Sequence, residues 1–260
     1  MRRLPVVSCV LALLLPLGCG GGATSPSGSS VEIVDGVTGA PVGSAIAGNP
    51  GDAVTVDRPG YLRRDTLVPR NRAISLWPLT VDETYVRTLV YSEAPARNRL
   101  LRWPATTVSV ARDFPADATE AVRPWVALVP SDAPLITVAV DPSDPGWAAL
   151  PPDTIGFAVR QFADSDAHIV SVRLVFRSAA DMRDPGSFLH ELGHGLGLGH
   201  SARRQDLMFP STARTTAAFS ADERVLLTMM YGHRRPGQVA PDNDQALGTA
   251  LSGTITTPIP

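Results

Sequence analysis

"FLHELGHGLGLGH", residues 188–200, holds three of the chain's five histidines. His190 and His194 are four residues apart, so on a helix their imidazoles lie one above the other and can reach one ion. Gly197 can adopt the left-handed conformation that ends a helix and turns the chain sharply. Such a turn allows His200, six residues after His194, to come back to the same point.

The residue types in this stretch favour a metal site over a purely structural helix. Three neutral imidazoles, from His190, His194 and His200, leave a fourth coordination position open, which is typical of a catalytic zinc. Glu191 lies beside the first ligand and can accept a proton from an attacking water molecule. Every second residue over 193–199 is glycine, although each interior glycine costs about 1 kcal/mol relative to alanine in a helix. The stretch therefore predicts one catalytic zinc, with Glu191 as the general base.

A second short motif follows the histidines. "DLMFP", residues 206–210, places Met208 eight residues after His200. Together with "HELGHGLGLGH", it resembles the metzincin zinc endopeptidases, in which a methionine turn lies beneath the metal. The spacing, the letters "LMFP" and Ser201 after the third histidine are similar to the matrixin branch, here in a bacterial form. Met208 is then structural, and the substrate is an extended protein or peptide.

The resemblance also implies a fold. It predicts a mixed α/β (α+β) catalytic domain over 81–235, with a twisted, mostly parallel sheet that carries an antiparallel edge strand. A long active-site helix, the methionine turn and a C-terminal helix complete the domain. We expect the substrate to add as a further strand along the edge of a predicted hairpin, on "HIVSVRLVF".

Hydrophobic periodicity places the predicted elements independently of the resemblance. "FSADERVLLTMMYG" begins with a capping box of Ser220 and Glu223 and is similar to the third matrixin helix. The other predicted elements are a strand within 103–114, a helix over 115–129, a strand over 134–141 and a hairpin of 154–162 with 168–176.

Two features depart from the matrixin pattern. The only cysteines are Cys9 and Cys19, so a prodomain cysteine that blocks the zinc is excluded. Matrixins also carry a structural zinc held by several histidines, for which only His168 and His233 remain, so we expect one zinc. Acidic turns such as "DPSDPG" could bind calcium, but aspartate is common in turns for conformational reasons, and nothing further supports calcium.

The first 30 residues indicate export. Residues 1–18 have a basic start, an apolar run too short to span a bilayer and small residues at the end, as in a secretory signal. Cys19, preceded by "LPLG", resembles a bacterial lipoprotein cleavage site, although Pro16 replaces the usual leucine. The alternatives are a secreted protein and an envelope protein anchored by lipid on Cys19, for instance in the outer membrane. Residues 19–30 read as a Gly/Ser linker.

The remaining segments are accessory. Residues 31–80 alternate short β-like runs with turns and resemble the regulatory-like β-sandwich found beside carboxypeptidases, from "VDGVTGAPV", "PGYLRRDTLV" and "ISLWP". Residues 236–260 are rich in Pro, Gly, Thr and Asp and predict a disordered tail. The net charge of −2 provides no electrostatic footprint for nucleic acid. We expect a monomer that meets a membrane only through an N-terminal lipid.

Three functions are consistent with these patterns. The first is an exported zinc endopeptidase. The second is a surface binding or adhesion protein whose metalloprotease-like domain is degenerate, although all three ligands and the base are present. The third uses the same zinc chemistry on non-peptide amides or esters.

Overall fold

The computed structural model describes residues 29–80, 82–91, 98–163, 166–245 and 252–259. The predicted signal over 1–18 and the predicted lipidation site Cys19 lie outside these ranges. Within them, no helix combines the length and the apolar character that crossing a bilayer requires.

Six short strands follow residue 29. They are β1 (Ser30–Asp35), β2 (Ile46–Ala47), β3 (Ala53–Val56), β4 (Tyr61–Leu62), β5 (Arg64–Leu67) and β6 (Ala73–Pro78). β1 lies between β2 and β6, β4 pairs with the other side of β6, and β3 pairs with β5. Alternate residues of β1 and β6, such as Ile33 and Leu76, are buried in a cluster of their own. The grouping of this β unit as a regulatory-like sandwich stays a prediction.

A six-stranded sheet forms the centre of the rest of the chain. Its strands are β7 (Thr107–Val110), β8 (Ala127–Pro130), β9 (Ile136–Val140), β10 (Gly156–Ala163), β11 (His168–Phe176) and β12 (Gly253–Ile259). The order is β12-β10-β11-β9-β7-β8. Neighbours from β8 to β11 are parallel, whereas β10 is antiparallel to β11 and to β12. This mixed α/β arrangement is compatible with the predicted metzincin-type domain.

Five α-helices accompany the three sheets in the described ranges. They are α1 (Glu83–Val86), α2 (Ala116–Val122), α3 (Ala179–Arg183), α4 (Pro185–Gly195) and α5 (Ala221–His233). α1 continues into a π-helical segment over Arg87–Tyr91, and a 3-10 helix covers Pro145–Ala149. The predicted capping box begins α5, because the Ser220 hydroxyl accepts from the Glu223 N–H and the Glu223 carboxylate accepts from the Ser220 N–H.

Helix α4 carries the histidine stretch and packs on the sheet. Asp184 caps its N-terminus by accepting from the Ser187 N–H, and Pro185 occupies the first turn, where a missing N–H costs nothing. The Phe188 ring stacks on the Phe176 ring of β11, with centroids 5.7 Å apart. The buried face of α4 is thereby held against β10 and β11.

Three sequence predictions are wrong. The helix predicted over 115–129 ends at Val122, and β8 follows, because Pro124 cannot donate the N–H that would continue the helix. The antiparallel strand β10 is not an edge strand, since β12 covers it, and "HIVSVRLVF" is the internal strand β11. The predicted disordered tail over 236–260 is ordered in its described part.

The ordered tail makes two sets of contacts that the sequence did not indicate. Asp242 is fully buried and forms an ion pair with Arg234, with 2.7 Å between Nε and Oδ1. Asp244 accepts from Arg64 and Thr66 of the N-terminal β unit. β12 then returns to the central sheet, so that strand pairing, buried charge and the buried side chains of Ile255 and Ile259 together hold this segment.

Candidate metal and active site

The three predicted histidines meet at one point. His190 and His194 project from α4, and the Nε2 atom of His194 lies 3.0 Å from that of His190 and 3.1 Å from that of His200. Three nitrogens that bind one tetrahedral zinc at about 2.0–2.1 Å are about 3.3 Å apart. Among the described residues, this is the group of three or more ligand side chains that could hold a metal ion.

The turn after α4 brings His200 to the other two histidines. Gly197 has a φ of +107°, the left-handed conformation predicted for it. A Cβ atom at this position would overlap the backbone carbonyl of Leu101, so the close approach of the two chains also requires glycine. The Leu198 N–H donates to the Gly193 carbonyl at 3.0 Å, which closes the helix end.

Backbone carbonyls set the orientation of two imidazoles. The Nδ1 atom of His190 lies 2.7 Å from the carbonyl oxygen of Leu207, and that of His194 lies 2.8 Å from the carbonyl oxygen of Leu198. A carbonyl only accepts, so each Nδ1 carries the proton and each Nε2 presents a lone pair to the centre of the cluster.

The charge state of these histidines suits a metal ligand. Burial lowers the pKa of His190 to about 3, and burial followed by the neighbouring imidazoles lowers the pKa of His194 well below its usual value. Both imidazoles are therefore neutral near pH 7, which is the form that coordinates a metal.

Glu191 lies beside the cluster in an unusual environment. Its side chain is fully buried, and neither carboxylate oxygen has a hydrogen-bond partner among the described residues. Burial raises its pKa, while the nearby Arg160 and Arg214 act in the opposite direction. A buried carboxylate without partners is costly, and a cation with its water would supply both charge and donors. The residues therefore fit a bound zinc ion.

Met208 lies against helix α4 at Gly193. It is fully buried, and a Cβ atom at position 193 would overlap its sulfur atom. Gly193 thus allows α4 to lie directly on the methionine turn. This contact explains one glycine that a sequence selected only for helix stability would replace.

Glu223 makes a second set of contacts near the histidine cluster that sequence reasoning missed. Besides capping α5, its buried carboxylate accepts from the N–H groups of Leu207 and Met208, at 3.0 and 2.7 Å. The Leu207 carbonyl in turn orients His190, so α5 is connected to a candidate metal ligand through the turn that contains Met208. The capping-box pattern identified Glu223, but only the packing shows that the same carboxylate binds a distant loop.

Residues between His200 and Met208 are structural. The Ser201 hydroxyl donates to Asp206, which also accepts from the Tyr85 hydroxyl of α1. Arg203 pairs with Asp222 at 2.8 Å and lies over the Tyr85 ring. These contacts stiffen the loop and engage Arg203, which could otherwise have attracted acidic substrates.

Comparison with known families agrees with this site. The matrixin family model matches residues 180–232, which extend from α3 to α5 and contain the three histidines, Glu191 and Met208. A search of curated proteins returned no match. The matched region and the histidine cluster support a metzincin-like protease domain with a possible zinc site formed by three histidines.

Proposed function

We propose that this protein is a zinc-dependent endopeptidase that hydrolyses peptide bonds of extended protein substrates. The observation that carries the proposal is the convergence of three imidazole Nε2 atoms on one point, with Glu191 next to His190 on α4 and its buried carboxylate without a hydrogen-bond partner among the described residues. A structural zinc site would close the fourth coordination position and would have no use for such a carboxylate.

In the proposed hydrolysis, the histidines and Glu191 have separate roles. His190, His194 and His200 would hold the ion through their Nε2 atoms. When bound, zinc polarises a carbonyl group and lowers the pKa of water toward about 7. Glu191 accepts the proton of the attacking water and passes it to the leaving amine as the C–N bond breaks. The proton is conserved, so Glu191 ends the cycle as the carboxylate with which it began.

A groove lined in part by Arg214, whose charge also acts on the pKa of Glu191, is the candidate for receiving the substrate. It has a volume of about 470 Å³ and extends from Ile155, just before β10, along Ser187 of α4 to Arg214. Arg214 donates to the Ser187 hydroxyl at 3.0 Å, and its side chain is almost completely covered. Arg214 therefore belongs both to the lining of this groove and to the surroundings of Glu191.

The test combines metal content with hydrolysis. We expect the purified chain to contain one zinc by elemental analysis and to cleave casein in a chelator-sensitive manner. Glu191→Gln should keep the zinc, since no ligand changes, and should lose about 10²- to 10⁴-fold in rate. Glu120→Gln makes the same chemical change on an exposed helix surface and should change neither quantity.

The outcomes separate the competing functions. A Glu191→Gln variant with both zinc and full hydrolysis would exclude Glu191 as the base. Zinc without peptide hydrolysis would favour the binding or adhesion protein, and hydrolysis of small amides or esters alone would favour the third function. Export through residues 1–18, with or without a lipid on Cys19, is part of the proposal and rests on the sequence pattern.

A further inference from the structure

β12 lies on the edge of β10 next to the proposed base. Seven consecutive residues pair antiparallel with β10, from Gly253 opposite Phe162 to Ile259 opposite Gly156. The Ile155 N–H also donates to the Ile259 carbonyl at 2.9 Å. The segment therefore runs along the strand toward the groove that begins at Ile155.

One face of β12 is directed toward the site. Ile255, Thr257 and Ile259 are buried, whereas Thr254 and Thr256 are exposed and Pro258 is half-buried. Ile259 is opposite Gly156, and a Cβ atom at Gly156 would lie 3.2 Å from Oε1 of Glu191. The end of β12 is thus on the same face of the sheet as the proposed base.

A buried cation contacts the middle of this face. Arg160, which is opposite Ile255, donates from Nη2 to the Thr257 hydroxyl at 2.9 Å. Arg160 is also close enough to Glu191 to influence its pKa. The buried hydroxyl of β12, that of Thr257, is therefore bound by a side chain that also belongs to the surroundings of the proposed base.

Only one edge of the central sheet is near the site. The opposite edge, β8, is four strands from β10, or about 19 Å at about 4.8 Å per strand. An extended peptide that binds a sheet edge by main-chain pairing and also reaches Glu191 must use the free side of β10. That side is where β12 lies.

We propose that residues 253–259 occupy the substrate-binding edge of β10 as an intramolecular competitor, and that a substrate binds in their place with the same direction. The proposal rests on the proposed function. The segment that fits is extended, with apolar β-branched residues at the positions of Ile255 and Ile259 and a hydroxyl between them. Displacement of β12 is then required before hydrolysis.

Tethering determines the size of the effect. A segment joined to its site by a short linker has an effective concentration on the order of 1 mM. If the free segment binds with a Kd on the order of 0.1 mM, the apparent KM of a competing peptide rises about 10-fold. The kcat is unchanged, because a displaced segment leaves the site intact.

The first experiment measures binding without relying on hydrolysis. A fluorescent peptide with the sequence of residues 252–260 is titrated into the full chain and into a chain that ends at residue 251. We expect binding by fluorescence anisotropy to the shortened chain, and binding at least about 10-fold weaker to the full chain. Equal binding to both chains, or binding to neither, would overturn the proposal.

A matched pair of variants tests the same point in the full-length chain. Ile255→Asp places a charge on the buried face and should release β12, lowering the apparent KM about 10-fold at constant kcat. Thr256→Asp places the same charge one residue away on the exposed face and should leave KM unchanged. An unchanged KM in a folded, zinc-containing Ile255→Asp variant would contradict the proposal.

If these variants do not fold, a reversible disulfide bond between β10 and β12 provides a second test. Gln161 and Thr254 are exposed and directly opposite each other, so Gln161→Cys with Thr254→Cys, in a chain carrying Cys19→Ser, allows a disulfide to hold β12 in place. We expect the oxidised form to bind neither peptide nor substrate and the reduced form to recover both. An oxidised form that still binds peptide refutes the proposal.

Failure of this inference can be distinguished from failure of the proposed function. Glu191-dependent hydrolysis that is equal with and without β12 refutes this inference alone. Chains that contain no zinc and show no hydrolysis refute the proposed function.

Discussion

At residue 197 the backbone geometry and the chemistry of the site depend on one another. The left-handed φ of Gly197 reverses the chain so that His200 reaches the other ligands, and the absence of a Cβ atom permits contact with the Leu101 carbonyl. Side chains other than glycine are strained in this conformation by about 1–3 kcal/mol, before any overlap is counted.

We therefore expect Gly197→Ala to lower the free energy of unfolding by at least about 1–3 kcal/mol and to reduce the zinc content below one per chain. Denaturant unfolding and elemental analysis provide the two measurements. Gly232→Ala is the matched control, because a Cβ atom there meets open space within α5 and alanine favours the helix by up to about 1 kcal/mol. Normal stability and zinc content in Gly197→Ala would show that the turn can form without glycine.

Residue types alone identified much of the site. The spacing of His190, His194 and His200, with Glu191 beside the first, predicted which side chains converge, because helix geometry and one glycine turn are local properties. The roles of Arg160 and Glu223 could not be predicted in this way. Both act on partners far along the chain, and such contacts depend on how the strands and helices pack.

At the scale of elements, α5 connects a helix cap to the metal site. Its first turn contains the capping box, and Glu223 within that box also holds the N–H groups of the methionine turn. A loss of order at the start of α5 would therefore remove hydrogen bonds from the backbone of Leu207 and Met208 and, through Leu207, would change the orientation of His190.

We expect Ser220→Ala to lower the free energy of unfolding by about 0.5–2 kcal/mol, because the Glu223 N–H loses its side-chain acceptor. Chemical denaturation gives the value. Ser143→Ala removes a hydroxyl from an exposed turn and should change stability by less than about 0.5 kcal/mol. Equal effects of the two substitutions would mean that the cap contributes nothing specific.

Elements were predicted well where their patterns are long and local, and poorly elsewhere. The hairpin of β10 and β11 and helix α5 have clear periodicity and punctuation. β8 was absorbed into a predicted helix, because the apolar spacing of its short run also fits a helical face. β12 was predicted to be disordered because its composition is rich in Thr and contains Pro. The segment forms a strand because it pairs with the edge of β10.

In the molecule as a whole, a buried charge pair connects the C-terminal tail with helix α5 and with the N-terminal β unit. Arg234, at the end of α5, pairs with Asp242 and also donates to Ser75 of β6 in the N-terminal β unit. Both charged side chains are fully covered. Removal of one partner would leave a buried charge without compensation.

We expect Asp242→Ala to lower the free energy of unfolding by about 3–5 kcal/mol and to loosen the N-terminal β unit. Thermal unfolding and limited proteolysis of residues 30–78 measure the two effects. Asp132→Ala breaks the exposed pair with Arg112 and should leave stability unchanged, since exposed ion pairs contribute little. Similar stability of the two variants would indicate that the tail is not part of the cooperative fold.

Sequence alone was enough to predict the cluster of three histidines, the position of Glu191 beside the first of them, the turn that contains Met208 and the mixed α/β class of the fold. These follow from spacing within helices and turns, where physical neighbours are also neighbours along the chain. Only the tertiary structure decided that Arg160 and Arg214 flank Glu191, that Asp242 anchors the tail and that β12 covers β10. Those relations join residues many positions apart through strand pairing and buried charge, for which no short stretch of sequence carries a signal.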